Sequence, residues 1–314
     1  MGTSPSPSRG LPAAPTGTRG LPASCTRRSL LGLCAIGLAG CGPGSDRDHA
    51  GPDAPDAGPL SARPRVAWVF GSGGPRGFVH VGVIRALQAL KLEPDLIVGA
   101  SAGALCGTLC AAGLPADTLH DLALETAAWD VVGWSPATPN RLDGTPLARF
   151  VNRQLGGRPL QALPTPMVCA VQRLRDAAVV GFNLGNAGLA VQASSAIEGR
   201  FAPVRIRGER YADADLVMPL PVRLARRLGA RHVLAVDASA HEDRAPAGAE
   251  AYRASDRRKR ALTQPDAQAA DLLLHPDLGY WAGVDRAYRE RVIDIGYRDT
   301  MARAAALEAL HRRT

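Results

Sequence analysis

The chain contains few aromatic residues, few cysteines and no apolar run long enough to cross a bilayer. Aromatic residues make up 4% of its 314 residues, and no stretch interleaves them with basic side chains. Because proteins that stack on nucleic acid use such interleaving, no nucleic-acid partner is expected. The formal net charge is +8, but four arginines and no acidic residue precede residue 40, so the remainder carries a mild +4.

The cysteines predict neither a disulfide framework nor a metal site. Cys106 and Cys110 lie one helical turn apart among Ala and Leu, and this spacing is poor geometry for a disulfide. Together with Cys169 they are expected to be small apolar residues. No cluster of Cys and His has metal-ligand spacing, so we expect no metal and no other cofactor.

The first forty residues have the order of an export signal. Arg27 and Arg28 precede the apolar run 30–38, which ends in Leu38-Ala39-Gly40-Cys41. Small residues followed by cysteine resemble a bacterial lipobox, which implies cleavage before Cys41 and acylation of its thiol. The arginine pair also resembles a twin-arginine signal. An ordinary secretory signal with a chance cysteine is the alternative.

The remaining chain divides into two parts. Residues 41–64 are rich in Gly, Pro, Asp and Ala, and we expect them to form a lipidated, disordered tether. Residues 65–314 are sufficient for one large α/β domain. The expected location is the periplasmic face of a membrane, with the outer membrane favoured because Gly42 rather than an aspartate follows the cysteine.

Short apolar runs alternate with helical patterns from residue 65 onward, which predicts a parallel sheet covered by helices. The predicted strands are 65–70, 96–98, 167–171, 178–182, 204–206, 209–211 and 232–236. The predicted helices are 79–90, 104–112, 189–197, 222–228 and 299–311. Residues 239–268 are polar and are expected to be an exposed excursion.

A serine flanked by glycines follows the second predicted strand. The sequence Gly99-Ala100-Ser101-Ala102-Gly103 lies between this strand and a helix of small residues. A sharp turn there would expose the serine hydroxyl, and the glycines would let neighbouring segments pass close to the turn. The pattern predicts a nucleophile elbow with Ser101 as the nucleophile.

A glycine-rich loop follows the first predicted strand, about thirty residues before Ser101. Its sequence is Gly71-Ser72-Gly73-Gly74-Pro75-Arg76-Gly77. Backbone N–H groups in such a loop can stabilise the oxyanion of an acyl-transfer intermediate. Because Pro75 has no N–H, we assign the oxyanion hole to Gly73 and Gly74, with Arg76 helping to hold the loop.

Other interpretations of this loop are weaker. No Gly-Lys-Ser/Thr follows it, so it is not a P-loop. Ser72 occupies the first glycine position of a G-x-G-x-x-G pattern and Asp95 lies where a ribose-binding acid would stand, which keeps a dinucleotide site as an alternative. A purely structural turn would leave the elbow unexplained.

The base that would activate Ser101 is less obvious from the residues alone. Five histidines follow the serine, and none lies in a glycine-rich loop. They are His120, His232, His241, His275 and His311. A triad esterase that uses one of them is one alternative. Asp213 offers another candidate base, because a predicted strand there enters a turn of small residues followed by prolines.

The ordered motifs resemble the patatin-like phospholipase family. The resemblance lies in residues 71–83, the elbow 99–103, the segment 193–204, Asp213 and the helix and strand over 224–237. It implies a three-layer α/β/α fold with a mostly parallel central sheet. It also implies a Ser101–Asp213 dyad that hydrolyses acyl esters of phospholipids or lysophospholipids without a metal.

The sequence departs from that family beside the aspartate. The family usually has Asp-Gly-Gly or Asp-Gly-Ala, whereas this chain has Asp213-Ala214-Asp215. Asp215 would either raise the pKa of Asp213 by like-charge repulsion or face solvent. A catalytically silent lipid-binding protein therefore stays open as a second alternative.

Two further groups of residues have more than one interpretation. The basic run 257–260 would contact anionic headgroups or form a solvated loop. Trp68 is expected in the core, whereas Trp129, Trp134 and Trp281 would line an acyl pocket, enter lipid or pack in the ordinary way.

The lipobox interpretation generates a first prediction. Replacement of Cys41 by serine removes the acylated thiol, so Cys41→Ser should leave a soluble, unacylated product in the producing bacterium. Metabolic labelling with palmitate and membrane fractionation measure both properties. Palmitate retained on the variant would contradict the assignment.

Overall fold

The computed structural model describes residues 47–134 and 141–313, and these residues group into one unit. Cys41, the export segment and the first residues of the expected tether lie outside the described residues. The strands are β1 Asp48–His49, β2 Val66–Phe70, β3 Leu96–Ala100, β4 Gly133–Trp134, β5 Leu142–Asp143, β6 Met167–Arg173, β7 Ala178–Phe182, β8 Val204–Ile206, β9 Glu209–Asp213, β10 His232–Val236 and β11 Leu272–Leu274. The helices are α1 Val79–Ala89, α2 Ala102–Ala111, α3 Ala116–Glu125, α4 Ala128–Val131, α5 Thr145–Gln154, α6 Ala187–Ser194, α7 Val222–Arg227, α8 Arg253–Ala269, α9 Arg286–Met301 and α10 Ala304–Arg312.

Nine of these strands form one mixed sheet in the order β1-β8-β9-β6-β3-β2-β10-β11, with β7 paired to β6. Its centre is parallel, because β6, β3, β2, β10 and β11 run in the same direction. Antiparallel pairs occur at β6 with β7, β6 with β9 and β8 with β9. The predicted α/β fold with a mostly parallel sheet is confirmed.

The central strands are buried on both faces, which explains their continuous apolar sequences. Successive side chains of a strand point to opposite faces, so Trp68 and Phe70 enter one core and Ala67 and Val69 the other. The first core includes side chains of α1 and α9, and the second includes those of α7. The three-layer architecture follows from this division, and Trp68 lies in the core as predicted.

One edge of β6 brings the ends of β3 and β9 together. Ala100 of β3 lies opposite Ala170, and Asp213 of β9 lies opposite Val171, the next residue of β6. Because β7 occupies the other edge of β6, the two strands meet head to head on the same edge. Ser101, which directly follows Ala100, is therefore adjacent to Asp213.

The expected disordered tether is wrong for residues 47–64. β1 pairs in parallel with β8, and Ala54 is buried. The Asn183 side chain accepts a hydrogen bond from the Gly58 N–H at 2.7 Å and donates one to the Gly58 carbonyl at 3.0 Å. Composition misled the prediction, because hydrogen bonds and small buried side chains hold this segment, and its one large apolar residue, Leu60, packs against the second core.

The predicted excursion over 239–268 is also wrong in part. Its second half forms α8, a 17-residue helix that packs against α7. Arg257, Arg258 and Arg260 of the basic run are exposed on α8, but Lys259 is half-buried and points towards the glycine-rich loop. The predicted terminal helix 299–311 is divided between α9 and α10, since the chain leaves helical geometry after Met301.

None of the helices in the described parts of the chain combines the length and the apolar character needed to cross a membrane.

Candidate active site

The predicted elbow joins β3 to α2. Ser101 has φ 55° and ψ −121°, a strained conformation for a residue with a side chain. A Cβ atom added to Gly103 would lie 2.1 Å from the Phe70 carbonyl oxygen, and one added to Gly99 would lie 2.4 Å from the Gly103 carbonyl oxygen. Only glycine fits at both positions, so the structure has the tight strand-to-helix turn that the motif predicts.

Ser194 holds the elbow from α6, a contact that the sequence analysis missed. The Ser101 backbone N–H donates to Ser194 Oγ at 3.0 Å, and the Ser194 hydroxyl donates to the Ala170 carbonyl at 2.7 Å. Ser194 is fully buried. A polar residue within the small, apolar sequence of α6 was the available signal, but only the fold shows its partners.

The buried Asp213 carboxyl group lies at the end of β9. Its Oδ1 accepts a hydrogen bond from the Asp215 backbone N–H at 2.9 Å. Its Oδ2 is inaccessible to solvent and has no well-formed hydrogen bond within the described residues. The Ser101 side chain is nevertheless close enough to lower the Asp213 pKa as a hydrogen-bond donor. Hydrogen bonds between catalytic groups are often long before substrate binds, which fits this arrangement.

The Asp213 carboxyl group has an unusually high pKa. Burial, and secondly the negative charge of Asp215, raise it from 3.8 to about 7. Hydrogen bonds from Ser101 and from the Asp215 backbone, and the charge of Lys259, act in the opposite direction. A carboxylate is ordinarily a weak base, and this environment makes Asp213 a stronger proton acceptor near neutral pH.

The glycine-rich loop packs directly on the elbow. A Cβ atom added to Gly77 would lie 2.3 Å from the Ala102 Cβ. The Gly71 and Ser72 N–H groups donate to the carbonyls of Val236 and Pro219 at 2.9 and 2.8 Å. These close contacts fix the loop beside Ser101.

Two amides of this loop have no hydrogen-bond partner among the described residues, those of Gly73 and Gly74. Gly74 also lines the cavity at Ser101. The Arg76 N–H, by contrast, donates to the Gly73 carbonyl at 3.1 Å and is not a free donor. Arg76 holds the loop through its guanidinium group, which donates to the Tyr280 carbonyl.

One of the two expectations for Asp215 was that its side chain faces solvent, and this expectation is wrong. Asp215 Oδ1 accepts hydrogen bonds from the Ser72 hydroxyl and from Lys259 Nζ, the latter at 2.5 Å. Burial acts to raise the Asp215 pKa, but the charge and hydrogen bond of Lys259 and the hydrogen bond from Ser72 outweigh it and lower the pKa. Asp215 is therefore a charged neighbour of Asp213, as the other expectation held.

A buried histidine ties α1 to the start of the glycine-rich loop. His80 Nε2 lies 2.8 Å from the Gly71 carbonyl, which can only accept, so this nitrogen is the donor. Burial lowers the His80 pKa to about 4 despite the raising effects of that hydrogen bond and of Asp237. His80 is thus neutral at physiological pH and supports the loop as a hydrogen-bond donor.

The later histidines do not complete a triad with Ser101. His275 and His241 stack with ring centroids 3.9 Å apart, and His275 Nε2 lies 3.4 Å from the Ser239 hydroxyl. His311 accepts a hydrogen bond from the Trp68 indole, and His120 and His232 approach neighbouring aspartates. None of the five contacts Ser101 within the described chain, so the triad alternative is not supported.

The dinucleotide alternative is also excluded by position. The Asp95 carboxylate accepts the backbone N–H groups of Arg65 and Val66 at 2.9 and 2.8 Å. It therefore lies at the amino ends of β2 and β3, whereas the glycine-rich loop follows the carboxyl end of β2. No group of three or more metal-ligating side chains is found in the part of the chain that the structure describes.

An apolar cavity of about 440 Å³ opens beside Ser101. Its walls come mainly from α2, α3, α4 and α5. The apolar lining includes Leu105, Leu109, Leu119, Leu122, Val131, Leu147, Phe150 and Phe201. A cavity of this volume with an apolar lining that includes Ser101 can receive an apolar chain.

Large apolar side chains stand exposed near this cavity. Val284 and Leu142 line it and are solvent-accessible. Trp129, between the lining residues Ala128 and Val131 of α4, is 79% exposed, and Trp134 is 64% exposed. The expectation that these tryptophans pack in the ordinary way is wrong.

The fold and this site define an α/β protein with a nucleophile-elbow serine, a buried acid and a glycine-rich loop. The chain belongs to the patatin-like phospholipase family, whose pattern matches residues 68–226.

The similarity to known relatives covers only part of each protein. The chain is 30% identical over 184 residues to an uncharacterized NTE family protein of Mycobacterium tuberculosis, covering 58% of this chain and 51% of that protein. It is 26% identical over 187 residues to the lysophospholipase NTE1 of Lodderomyces elongisporus, covering 58% and 13%. It thus spans about half the length of the former and less of the latter. The VipD structure from Legionella pneumophila is similar with a TM-score of 0.47 and 12% identity, covering 83% of this chain and 71% of VipD.

The raised Asp213 pKa generates a stability prediction. Below pH 3.8 the Asp213 carboxyl group is protonated in both the folded and the unfolded protein. As the pH rises through about 7, the folded protein must hold the buried group in its charged form, so the contribution of the neutral group to folding stability is lost. Asp213→Asn keeps the oxygen that accepts the Asp215 N–H and removes the ionisation. We therefore expect the variant to melt at a higher temperature than the wild type at pH 8, with a smaller difference at pH 4.5.

Thermal unfolding followed by circular dichroism at several pH values measures this difference. Asp243→Asn, at an exposed position, is the matched control and should change the melting temperature little at any pH. An Asp213→Asn protein less stable than the wild type at pH 8 would overturn the assignment of a buried, destabilised carboxylate.

Proposed function

We propose that this protein is a serine lipid acyl hydrolase that acts through a Ser101–Asp213 dyad. The observation that carries the proposal is the shared edge of β6, which brings the strained serine and the buried acid together. Free amides at Gly73 and Gly74 and the apolar cavity at Ser101 support the same reaction.

The proposed first step is acylation of the enzyme. Ser101 Oγ attacks the ester carbonyl carbon while its proton passes to the Asp213 carboxylate. The carbonyl oxygen becomes an oxyanion, and the N–H groups of Gly73 and Gly74 hold it. Collapse of the tetrahedral intermediate breaks the bond to the alcohol oxygen, which takes the proton from Asp213 and leaves.

The second step releases the acyl group. Asp213 accepts a proton from a water molecule as the water oxygen attacks the acyl-enzyme carbonyl carbon. The same amides stabilise the second oxyanion. Collapse returns the proton to Ser101 and yields a free fatty acid. Because the cavity lining is apolar and the Asp213 side chain is buried, both proton transfers occur where a carboxylate is a stronger base than in solution.

The proposed substrates are phospholipids or lysophospholipids. The apolar cavity wall suits a fatty acyl chain. The relative from Lodderomyces elongisporus is named a lysophospholipase, which favours the same substrate class. A catalytically silent lipid-binding protein is the second candidate. It is kept because the sequence Asp213-Ala214-Asp215 departs from the Asp-Gly-Gly or Asp-Gly-Ala that the family usually has at this aspartate.

Loss of either dyad member should abolish hydrolysis. Ser101→Ala removes the nucleophile and Asp213→Asn removes the base, so each should lower kcat/KM by about 10³-fold or more. Release of p-nitrophenol from a short-chain ester, and of fatty acid from phosphatidylcholine and lysophosphatidylcholine, measures both losses. Ser239→Ala and His275→Ala are the controls and should retain wild-type rates.

The outcomes separate the candidate functions. Activity that survives Ser101→Ala would overturn the proposed mechanism, and loss of activity in His275→Ala alone would favour a triad. A wild-type protein that binds lipid vesicles but turns over none of these esters would favour the silent lipid-binding protein.

We also propose that the cavity opens towards a lipid surface. Trp129, Trp134 and Val284 expose apolar surface beside the cavity that would receive the acyl chain. Tryptophan is favoured at membrane interfaces because its ring is apolar and its N–H finds a polar partner there. A lipid would then reach Ser101 without its acyl chain crossing water.

Replacement of the most exposed of these side chains should weaken vesicle binding. Trp129→Ser is expected to lower binding to phosphatidylcholine vesicles several-fold in a sedimentation assay, because it removes a large interfacial side chain. Hydrolysis of the soluble ester should stay at the wild-type rate. Tyr252→Ser removes an exposed aromatic side chain from a segment that contributes no residue to the cavity wall, whereas Trp129 lies between the lining residues Ala128 and Val131; the Tyr252 variant should bind vesicles normally. Equal binding by Trp129→Ser and the wild type would exclude this surface.

The proposed location is the periplasmic face of a bacterial membrane, with the outer membrane favoured, through acylation of Cys41. The support is the lipobox-like sequence that ends at this cysteine. In the sequence, five residues separate Cys41 from Arg47, the first residue that the structure describes.

A further inference from the structure

Lysine is rare in this chain, and one lysine reaches the candidate active site. The sequence has two lysines, Lys91 and Lys259. Lys259 lies on α8, beyond the residues 68–226 that match the family. Its ammonium group donates to Asp215 Oδ1 at 2.5 Å and to Ser72 Oγ at 3.1 Å.

These three side chains connect the glycine-rich loop with the segment that carries the acid. Ser72 is buried, its hydroxyl donates to Asp215, and its N–H donates to the Pro219 carbonyl. The peptide that follows Ser72 carries the free N–H of Gly73. The Asp215 backbone N–H, in turn, donates to Asp213 Oδ1. One network therefore holds both an oxyanion donor and the proposed base.

The same helix holds the far end of the loop. The Arg76 guanidinium donates to the Tyr280 carbonyl, and the Tyr280 hydroxyl donates to Asp256 Oδ2 at 2.5 Å. Asp256 and Lys259 are three residues apart and so share one face of α8. α8 thus contacts both ends of the loop, at Ser72 directly and at Arg76 through Tyr280.

We propose that Lys259 and Asp215 are paired positioning residues, which fix the Gly73 amide through Ser72 and balance the charge beside Asp213. The inference rests on the proposed Ser101–Asp213 mechanism and extends it to α8. The half-buried carboxylate of Asp215, where the family usually has Gly or Ala, would by itself disfavour the ionised Asp213. Lys259 supplies the compensating charge.

A lysine suits this place better than the arginine that the chain uses elsewhere. Its ammonium group is a compact charge with three donors, which can contact one carboxylate oxygen and one hydroxyl at once. A planar guanidinium group prefers a bidentate contact with both carboxylate oxygens. Lys259→Arg should therefore keep the charge balance but displace Ser72.

Few other charged groups face Asp213. Asp215 and Lys259 are the charges that change its pKa. Arg76 on the loop is directed to Tyr280, and Asp237 at the end of β10 acts on the neutral His80 of α1. The two members of the pair should thus have opposite effects on the proposed base.

The test is the pH dependence of kcat/KM for a soluble p-nitrophenyl ester in paired variants. The acid limb is the part of the profile in which kcat/KM falls as Asp213 becomes protonated. Lys259→Met leaves the negative charge of Asp215 without a positive partner, so the acid limb should move to higher pH by about one unit. Asp215→Asn keeps an oxygen for Ser72 and leaves Lys259 unbalanced, so the limb should move to lower pH. The double variant should return towards the wild-type limb.

Two further variants separate charge from position. Ser72→Ala should lower kcat several-fold and leave the acid limb in place, because it frees the loop without changing a charge. Lys259→Arg should keep the limb near that of the wild type and lower kcat. Arg258→Met removes an exposed charge from the same helix and is the matched control, with no change in rate or profile.

Acid limbs that coincide in Lys259→Met, Asp215→Asn and the wild type, while Ser101→Ala is inactive, would overturn this inference and leave the proposed function intact. Activity in Ser101→Ala would overturn both. Circular dichroism would show whether Lys259→Met folds. If it does not, Asp215→Asn still tests the pairing, because an acid limb that fails to move to lower pH in this variant contradicts the inference.

Discussion

The candidate active site depends on how one edge of β6 is shared by two strands that run towards each other. β3 pairs in parallel with the first part of this edge, and β9 pairs antiparallel with the rest. The last residue of β3 precedes Ser101, and the last residue of β9 is Asp213. A hydrogen-bonded sheet has a fixed register because a slip of one residue would move every buried side chain to the other face. The distance between the proposed nucleophile and the proposed base is therefore set mainly by backbone pairing.

The site is strained and incompletely paired, as sites that perform chemistry often are. Ser101 has a positive φ, and Asp213 has a buried oxygen without a well-formed hydrogen bond in the described structure. The surrounding contacts hold these features. Ser194 fixes the Ser101 amide, His80 fixes the loop at Gly71, and backbone carbonyls take the amides that precede Gly73. The N–H groups of Gly73 and Gly74 have no hydrogen-bond partner among the described residues, so they are available to an oxyanion.

The departure at Asp215 has a structural consequence at a distant part of the chain. A second carboxylate near Asp213 would be costly unless a positive charge balanced it. Lys259 provides this charge from a helix 44 positions later in the sequence. The ion pair also contacts Ser72, which precedes the proposed oxyanion donors, so in the proposed arrangement the added acid and the lysine act as one unit. This view explains how an active enzyme is compatible with an Asp-Ala-Asp sequence at the base.

The sequence by itself determined the local parts of this protein. The apolar runs predicted the central strands, and Gly99 to Gly103 predicted the elbow, because a tight turn needs glycine for steric reasons that are local. The resemblance to a family added Asp213. Tertiary structure decided which residues are neighbours. The five later histidines contact residues other than Ser101, and residues 47–64 pair with the domain. Lys259, within a basic run, contacts Asp215. These contacts join residues that are far apart in the chain. They form only when the whole domain has folded, so a pattern within a short stretch of sequence does not predict them.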